Sequence, residues 1–113
     1  METNAVVRAL GALAQESRLA IFRLLVEAGP DGLPAGQIAE HLGIAPSSLS
    51  FHMKELTHAS LVTVEPRGRY MIYAAHYAAM NDLLGYLTEN CCGGNPCLPA
   101  EAGSCKPSKM RAS

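Results

Sequence analysis

Apolar residues recur at helical spacing in five stretches of this chain. They are Val6, Val7, Leu10, Leu13, Leu19, Phe22, Leu25, Val26, Ile38, Leu42, Leu49, Met53, Leu56, Met80, Leu83, Leu84 and Leu87. Spacing of i, i+3 and i+4 places such residues on one face of an amphipathic helix. The pattern therefore predicts five helices, with the first at about residues 4–14 and the last at about residues 77–89.

Several boundaries of these helices carry local signals. Residues 15–17 offer a capped start for the second helix, and residues 29–32 contain the glycines and proline that end it. Gly43 follows the short third helix, where a left-handed residue suits glycine. Pro46 suits the first position of the fourth helix, because the N–H group it lacks would be unpaired there.

Two short stretches, Leu61–Val64 and Tyr70–Tyr73, are rich in residues that favour strands. Residues 65–69 between them supply turn-forming residues and two arginines. The predicted order is therefore α-α-α-α-β-β-α, a mostly α fold with a small β-hairpin. Two short helices followed by a basic hairpin are typical of a winged helix-turn-helix.

Length and composition predict one domain with a distinct C-terminal segment. The chain has 113 residues, and after residue 90 it becomes rich in Gly, Pro, Cys, Ser and Lys. We therefore expect a winged helix-turn-helix DNA-binding domain at residues 1–90 and a flexible tail at residues 91–113. No signal peptide or apolar run of about 20 residues is present, so the sequence predicts a cytoplasmic protein without a membrane partner.

The polar face of the fourth helix and the hairpin tip are the candidate surface for double-stranded DNA. Hydroxyl, imidazole and cationic side chains suit contacts with phosphates and base edges. The candidate DNA-binding residues are Ser47, Ser48, Ser50, His52, Lys54, Arg67 and Arg69. The net charge of −1 does not bear on this prediction, because it describes the whole chain.

All four cysteines lie in the last 23 residues. In a reducing compartment, clustered thiols indicate metal binding or redox chemistry before structural disulfides. Cys91, Cys92 and Cys97 provide three soft thiolates within one short segment, which favours thiophilic ions over magnesium or calcium. Zinc, cadmium or lead stays open as the ligand if Cys105 supplies a fourth thiolate.

The chain resembles the ArsR/SmtB family of metal-responsive repressors. The run Glu16-Ser17-Arg18-Leu19 is similar to the start of that family's second helix, and Ser47–Leu56 is similar to its recognition helix. The resemblance covers roughly residues 5–90. It implies a homodimer that binds operator DNA, with a wing after the recognition helix and repression relieved by metal binding.

The resemblance also favours the C-terminal cysteines as the metal-sensing site. The third helix, at residues 37–42, lacks the cysteines of the founding arsenic and cadmium sensors, and His76 with Asp82 alone does not reproduce the zinc-sensing set. An arsenite-responsive branch carries a Cys-Cys pair and a nearby cysteine after the last helix. We therefore expect As(III) or Sb(III) as inducer at Cys91, Cys92 and Cys97.

Two other functions use the same thiols. A redox-sensing repressor would form a disulfide between Cys92 and Cys97. A thiol reductase would need an activated cysteine, but the sequence has no Cys-x-x-Cys beside a βαβ pattern and no phosphate-binding loop. The sequence thus predicts a regulator, not an enzyme.

Overall fold

The computed structural model describes residues 1–89, which form five helices and a three-stranded antiparallel sheet. The helices are α1 (Thr3–Leu13), α2 (Glu16–Ala28), α3 (Ala35–Leu42), α4 (Pro46–His58) and α5 (Tyr77–Leu87), and the strands are β1 (Leu33–Pro34), β2 (Val62–Arg67) and β3 (Tyr70–Ala75). The winged helix-turn-helix prediction is confirmed. Residues 91–113, the expected tail, lie outside the described residues, so that division of the chain stays a prediction.

The helix boundaries follow the local signals in the sequence. The Gln15 side chain accepts a hydrogen bond from the Arg18 backbone N–H at 2.9 Å and caps the start of α2. Gly43 ends α3 in the left-handed region, at a φ of 66°, and the N–H of Ile44 then reaches Ala39 O at 3.0 Å. This turn joins α3 to α4 and sets their crossing.

Strand β1 was missing from the sequence prediction. Leu33 pairs with Tyr73 and Pro34 pairs with Ile72, so β3 lies between β1 and β2. Two residues are too short to show an alternating pattern, and this strand exists because the edge of β3 is available to it. Its pairing with β3 fixes the position of the loop before α3 relative to the hairpin.

The hairpin turn is shorter than the five-residue turn that the sequence predicted. Pairing continues to Arg67 and Tyr70, which leaves Gly68 and Arg69 as a two-residue turn with Gly68 at a φ of 62°. Pro66, assigned to the turn, lies in β2 opposite Met71. A proline is tolerated there because β2 is an edge strand.

One hydrophobic core joins all five helices to the base of the hairpin. Its most completely buried large side chains are Ile21, Leu25, Ile38, Leu56 and Leu61. Leu83 anchors α5 in this core, and the Tyr77 hydroxyl donates to Val26 O at 2.9 Å. Because α4 and the hairpin share this core, they are held at a defined angle to each other.

Candidate nucleic-acid interface

Helix α4 has one buried face and one exposed face. Leu49, Met53 and Leu56 point into the core with at most 2% of their surface exposed. The predicted DNA-binding residues Ser47, Ser48, Ser50 and Lys54 are all exposed. The structure thus presents most of the predicted polar set on one accessible surface of the second helix of the helix-turn-helix.

The first turn of α4 offers free backbone donors. Ala45 precedes the helix and has no side chain that can cap it, and Ser47 and Ser48 make no capping hydrogen bond. The first N–H groups of an α-helix lack intrahelical partners and carry the positive end of the helix dipole. A DNA phosphate at this end would receive their hydrogen bonds.

His52 is half-buried, unlike the other predicted residues of α4. Arg18 Nη1 lies 3.3 Å from His52 Nδ1, and Arg18 Nε donates to Ala12 O at 2.7 Å. Because arginine only donates, Nδ1 accepts, and the neutral imidazole carries its proton on Nε2. His52 therefore has one N–H donor left for DNA, and its ring is held by Arg18 in the first turn of α2.

Phe51 is an exposed aromatic residue on α4 that the sequence reasoning did not select. Its side chain is 57% exposed, and its ring meets the His52 ring edge-on, with centroids 5.9 Å apart. The helical period would have identified it. At 100° per residue, position 51 lies about 200° from Leu49, on the face opposite the core.

The hairpin β2–β3, which we call the wing, lies beside α4. Ser50, Lys54 and Val64 line a shared groove between the helix and the wing. The two predicted arginines of the wing differ in their surroundings. Arg67 contacts Glu65 Oε2 and Asp31 O at 3.4 and 3.5 Å, whereas Arg69 is exposed at the tip and has no ion pair within residues 1–89.

Glu65 should weaken DNA binding, because its carboxylate neutralises Arg67 and would approach the phosphates with it. We expect Glu65→Gln to raise affinity for DNA by about two- to fivefold at low salt, in keeping with a surface ion pair. Fluorescence anisotropy of a labelled duplex would measure this change. Glu27→Gln, the same charge change at an exposed site on α2, should have no effect, and a weakened Glu65→Gln complex would mean that Glu65 positions Arg67 instead.

The predicted metal ligands Cys91, Cys92 and Cys97 lie outside the described residues, as does Cys105. Among residues 1–89, no three His, Cys, Asp or Glu side chains come together in a group that could hold a metal ion. The same part of the chain contains no helix long and apolar enough to cross a membrane.

Comparisons with known proteins show which known folds this chain resembles. A family model described as a helix-turn-helix domain matches residues 13–65, from the end of α1 into β2. No curated protein sequence matches the chain at a significant level.

Solved structures extend the likeness to about three quarters of the chain. HlyU from Vibrio cholerae N16961 is 30% identical, with a TM-score of 0.60, and the match covers 77% of this chain and 97% of HlyU. An ArsR-like transcriptional regulator from Rhodococcus sp. RHA1 is 24% identical, with a TM-score of 0.67, over 77% and 78% of the two chains. A homodimeric winged helix-turn-helix DNA-binding domain from Mycobacterium bovis is 23% identical, with a TM-score of 0.62, over 77% and 81%.

Proposed function

Since this chain belongs to the ArsR family of winged helix-turn-helix transcriptional regulators, we propose that it is a repressor that leaves its operator when trivalent arsenic or antimony binds Cys91, Cys92 and Cys97. The observation that carries the DNA-binding part is the exposed polar face of α4 beside a wing with a cationic tip. The observation that carries the ligand is the set of three cysteines shortly after α5.

The surface formed by the exposed face of α4 and the wing contains groups that suit different parts of the DNA duplex. The uncapped first turn of α4 and Lys54 supply donors and charge for phosphates, and Ser50 and His52 Nε2 are donors for base edges in the major groove. Arg69, exposed at the tip of the wing, would reach the flanking DNA backbone. None of these groups is committed to an ion pair within residues 1–89.

Apolar residues on α1 and α5 support a homodimer. Val7 and Leu10 on α1 are 62% and 41% exposed, and Leu87 on α5 is 53% exposed. The two helices are joined by a hydrogen bond of 2.7 Å between the hydroxyls of Thr3 and Tyr86. A second copy packed on this face would bury these side chains and place two α4 helices for major grooves about 34–36 Å apart.

Three thiolates suit a trivalent metalloid because As(III) and Sb(III) take three ligands in a pyramid with a lone pair in the fourth direction. Structural zinc wants four ligands, which here would require Cys105. Cys91 lies four positions after Leu87, the last residue of α5. A ligand bound at these cysteines would therefore be held close in sequence to a helix of the proposed dimer interface.

Release requires that the metalloid bind the free dimer more tightly than the DNA-bound dimer. By thermodynamic reciprocity, operator DNA must then weaken metalloid binding by the same factor. A change in how the two copies of α5 pack would alter the spacing of the two α4 helices. Metalloid binding at the thiolates would thus change DNA affinity through the dimer interface, which would pack in one way in the free dimer and in another way in the DNA-bound dimer.

A gel-shift titration of the dimer on its own upstream DNA tests this function. Arsenite and antimonite should release the DNA, whereas zinc, cadmium and peroxide should not. Release by peroxide with indifference to arsenite would replace the metalloid with a redox signal. Release by zinc or cadmium alone would point to a four-thiolate site that includes Cys105.

Lys54 provides a separate test of the DNA-binding surface. We expect Lys54→Ala to weaken binding to all duplex sequences and to reduce the dependence of log affinity on log salt by about one unit per protomer. Arg23→Ala removes the same charge from an exposed site on α2 and should leave the salt dependence unchanged. An unchanged slope in Lys54→Ala would remove Lys54 from the interface.

A further inference from the structure

Phe51 is a large apolar side chain at the centre of an otherwise polar exposed surface. Ser47 and Lys54 lie one helical turn before and after it on the same face of α4. The face opposite holds Leu49 and Met53, which already fill the core. The core of one copy is therefore complete without the Phe51 ring, which is available to contact a partner.

The ring of Phe51 is positioned in advance. Its contact with His52 is edge-to-face, at an interplanar angle of 61°. His52 is in turn held by Arg18 of α2, which donates to Ala12 O in the last turn of α1. A ring supported in this way loses little freedom when it meets a partner.

The surroundings of Phe51 favour DNA as that partner. The exposed apolar residues of the proposed dimer face lie on α1 and α5, whereas Phe51 lies between hydroxyls and the Lys54 ammonium on the helix that the proposed function places in the major groove. The base edges in that groove carry one apolar group, the C5-methyl of thymine. A phenyl ring makes no conventional hydrogen bond to a base edge, so the methyl is the group that it can recognise.

We propose that Phe51 is a specificity residue that packs against the C5-methyl group of a thymine in each half of the operator. This assignment rests on the proposed function, since it needs α4 in the major groove. It distinguishes thymine from cytosine at one position of each half-site by apolar contact. His52 and Arg18 act as positioning residues for the ring.

Replacing operator thymines by deoxyuridine tests the contact directly, because deoxyuridine lacks only the methyl group. The operator would first be selected from random duplexes with the full-length protein, and each thymine would then be replaced in turn. Wild-type protein should lose about fourfold in affinity when the contacted thymine is replaced in one half-site and about fifteenfold when it is replaced in both, the value of one buried methyl group per site.

Substitutions of Phe51 test the same contact from the protein side. Phe51→Ala should bind the thymine operator more weakly and become indifferent to deoxyuridine, while Phe51→Leu should keep part of the sensitivity. Leu19→Ala, which truncates an exposed apolar residue on α2, should behave as wild type. Circular dichroism and sedimentation would verify that each variant is folded and has the wild-type assembly state.

The outcomes separate this assignment from the proposed function. Selection of a defined operator without deoxyuridine sensitivity at any thymine would overturn the Phe51 assignment alone. Wild-type deoxyuridine sensitivity in Phe51→Ala would do the same, and a changed assembly state in that variant would make Phe51 a protein contact. Failure to select any sequence would overturn sequence-specific DNA binding, and the assignment with it.

Discussion

Serine in place of Cys92 should leave operator affinity unchanged and abolish release of DNA by arsenite. A serine hydroxyl has nearly the shape of a thiol but is a poor ligand for a soft ion, and two remaining thiolates cannot complete a three-coordinate site. Allosteric coupling factors are typically about 5–150-fold, and the variant should reduce this factor to about one. Anisotropy of a labelled operator, titrated with arsenite under reducing conditions, would measure it.

The other cysteines supply matched comparisons for this result. Cys91→Ser and Cys97→Ser should behave like Cys92→Ser, whereas Cys105→Ser should retain release. Continued release in all three of the first set would place the ligand site elsewhere. Loss of release in Cys105→Ser as well would favour a four-thiolate site for zinc or cadmium.

Alanine in place of Gly32 should destabilise the fold by about 2–4 kcal/mol, the sum of a strained backbone and a steric clash. Gly32 has a φ of 69°, and a Cβ atom added there would clash with the backbone oxygen of Tyr73. Neither β1 nor β3 can move away easily, because Leu33 and Tyr73 are paired. Urea unfolding at a fixed protein concentration, followed by circular dichroism, would measure the loss.

Two other glycines separate the two contributions to this loss. Gly43→Ala has a comparable positive φ, at 66°, but no atom within 4 Å of the added Cβ, so it should cost about 1 kcal/mol. Gly36→Ala lies in α3 with open space around it and should be neutral or stabilising by up to about 1 kcal/mol. Equal losses in all three variants would mean that the Tyr73 contact is not the cause.

Much of the candidate site could be predicted from sequence because it depends on one helix. The inner face of α4 follows from the spacing of Leu49, Met53 and Leu56, and its start follows from Pro46. The exposure of Ser47, Ser48, Ser50 and Lys54 then results from the helical period. Phe51 follows from the same period, but its apolar character led the prediction to pass over it.

The remaining features of the site depend on residues far apart in the chain. His52 is held by Arg18, which lies 34 positions earlier, and nothing near position 52 indicates that contact. Arg67 contacts the Glu65 carboxylate and the backbone oxygen of Asp31 because the strand register of the wing and the position of the loop before β1 bring these groups together. These contacts occupy hydrogen-bonding groups of residues that the sequence pattern does identify.

The order of the helices, the helix-turn-helix and the hairpin are properties of the sequence itself, since helical and strand periods arise from local backbone geometry that each stretch carries alone. Three features come from the packing of distant segments. They are the short strand β1, the length of the wing turn, and the contacts that hold His52 and Arg67. Such contacts form only when the core brings those segments together, so no local pattern records them.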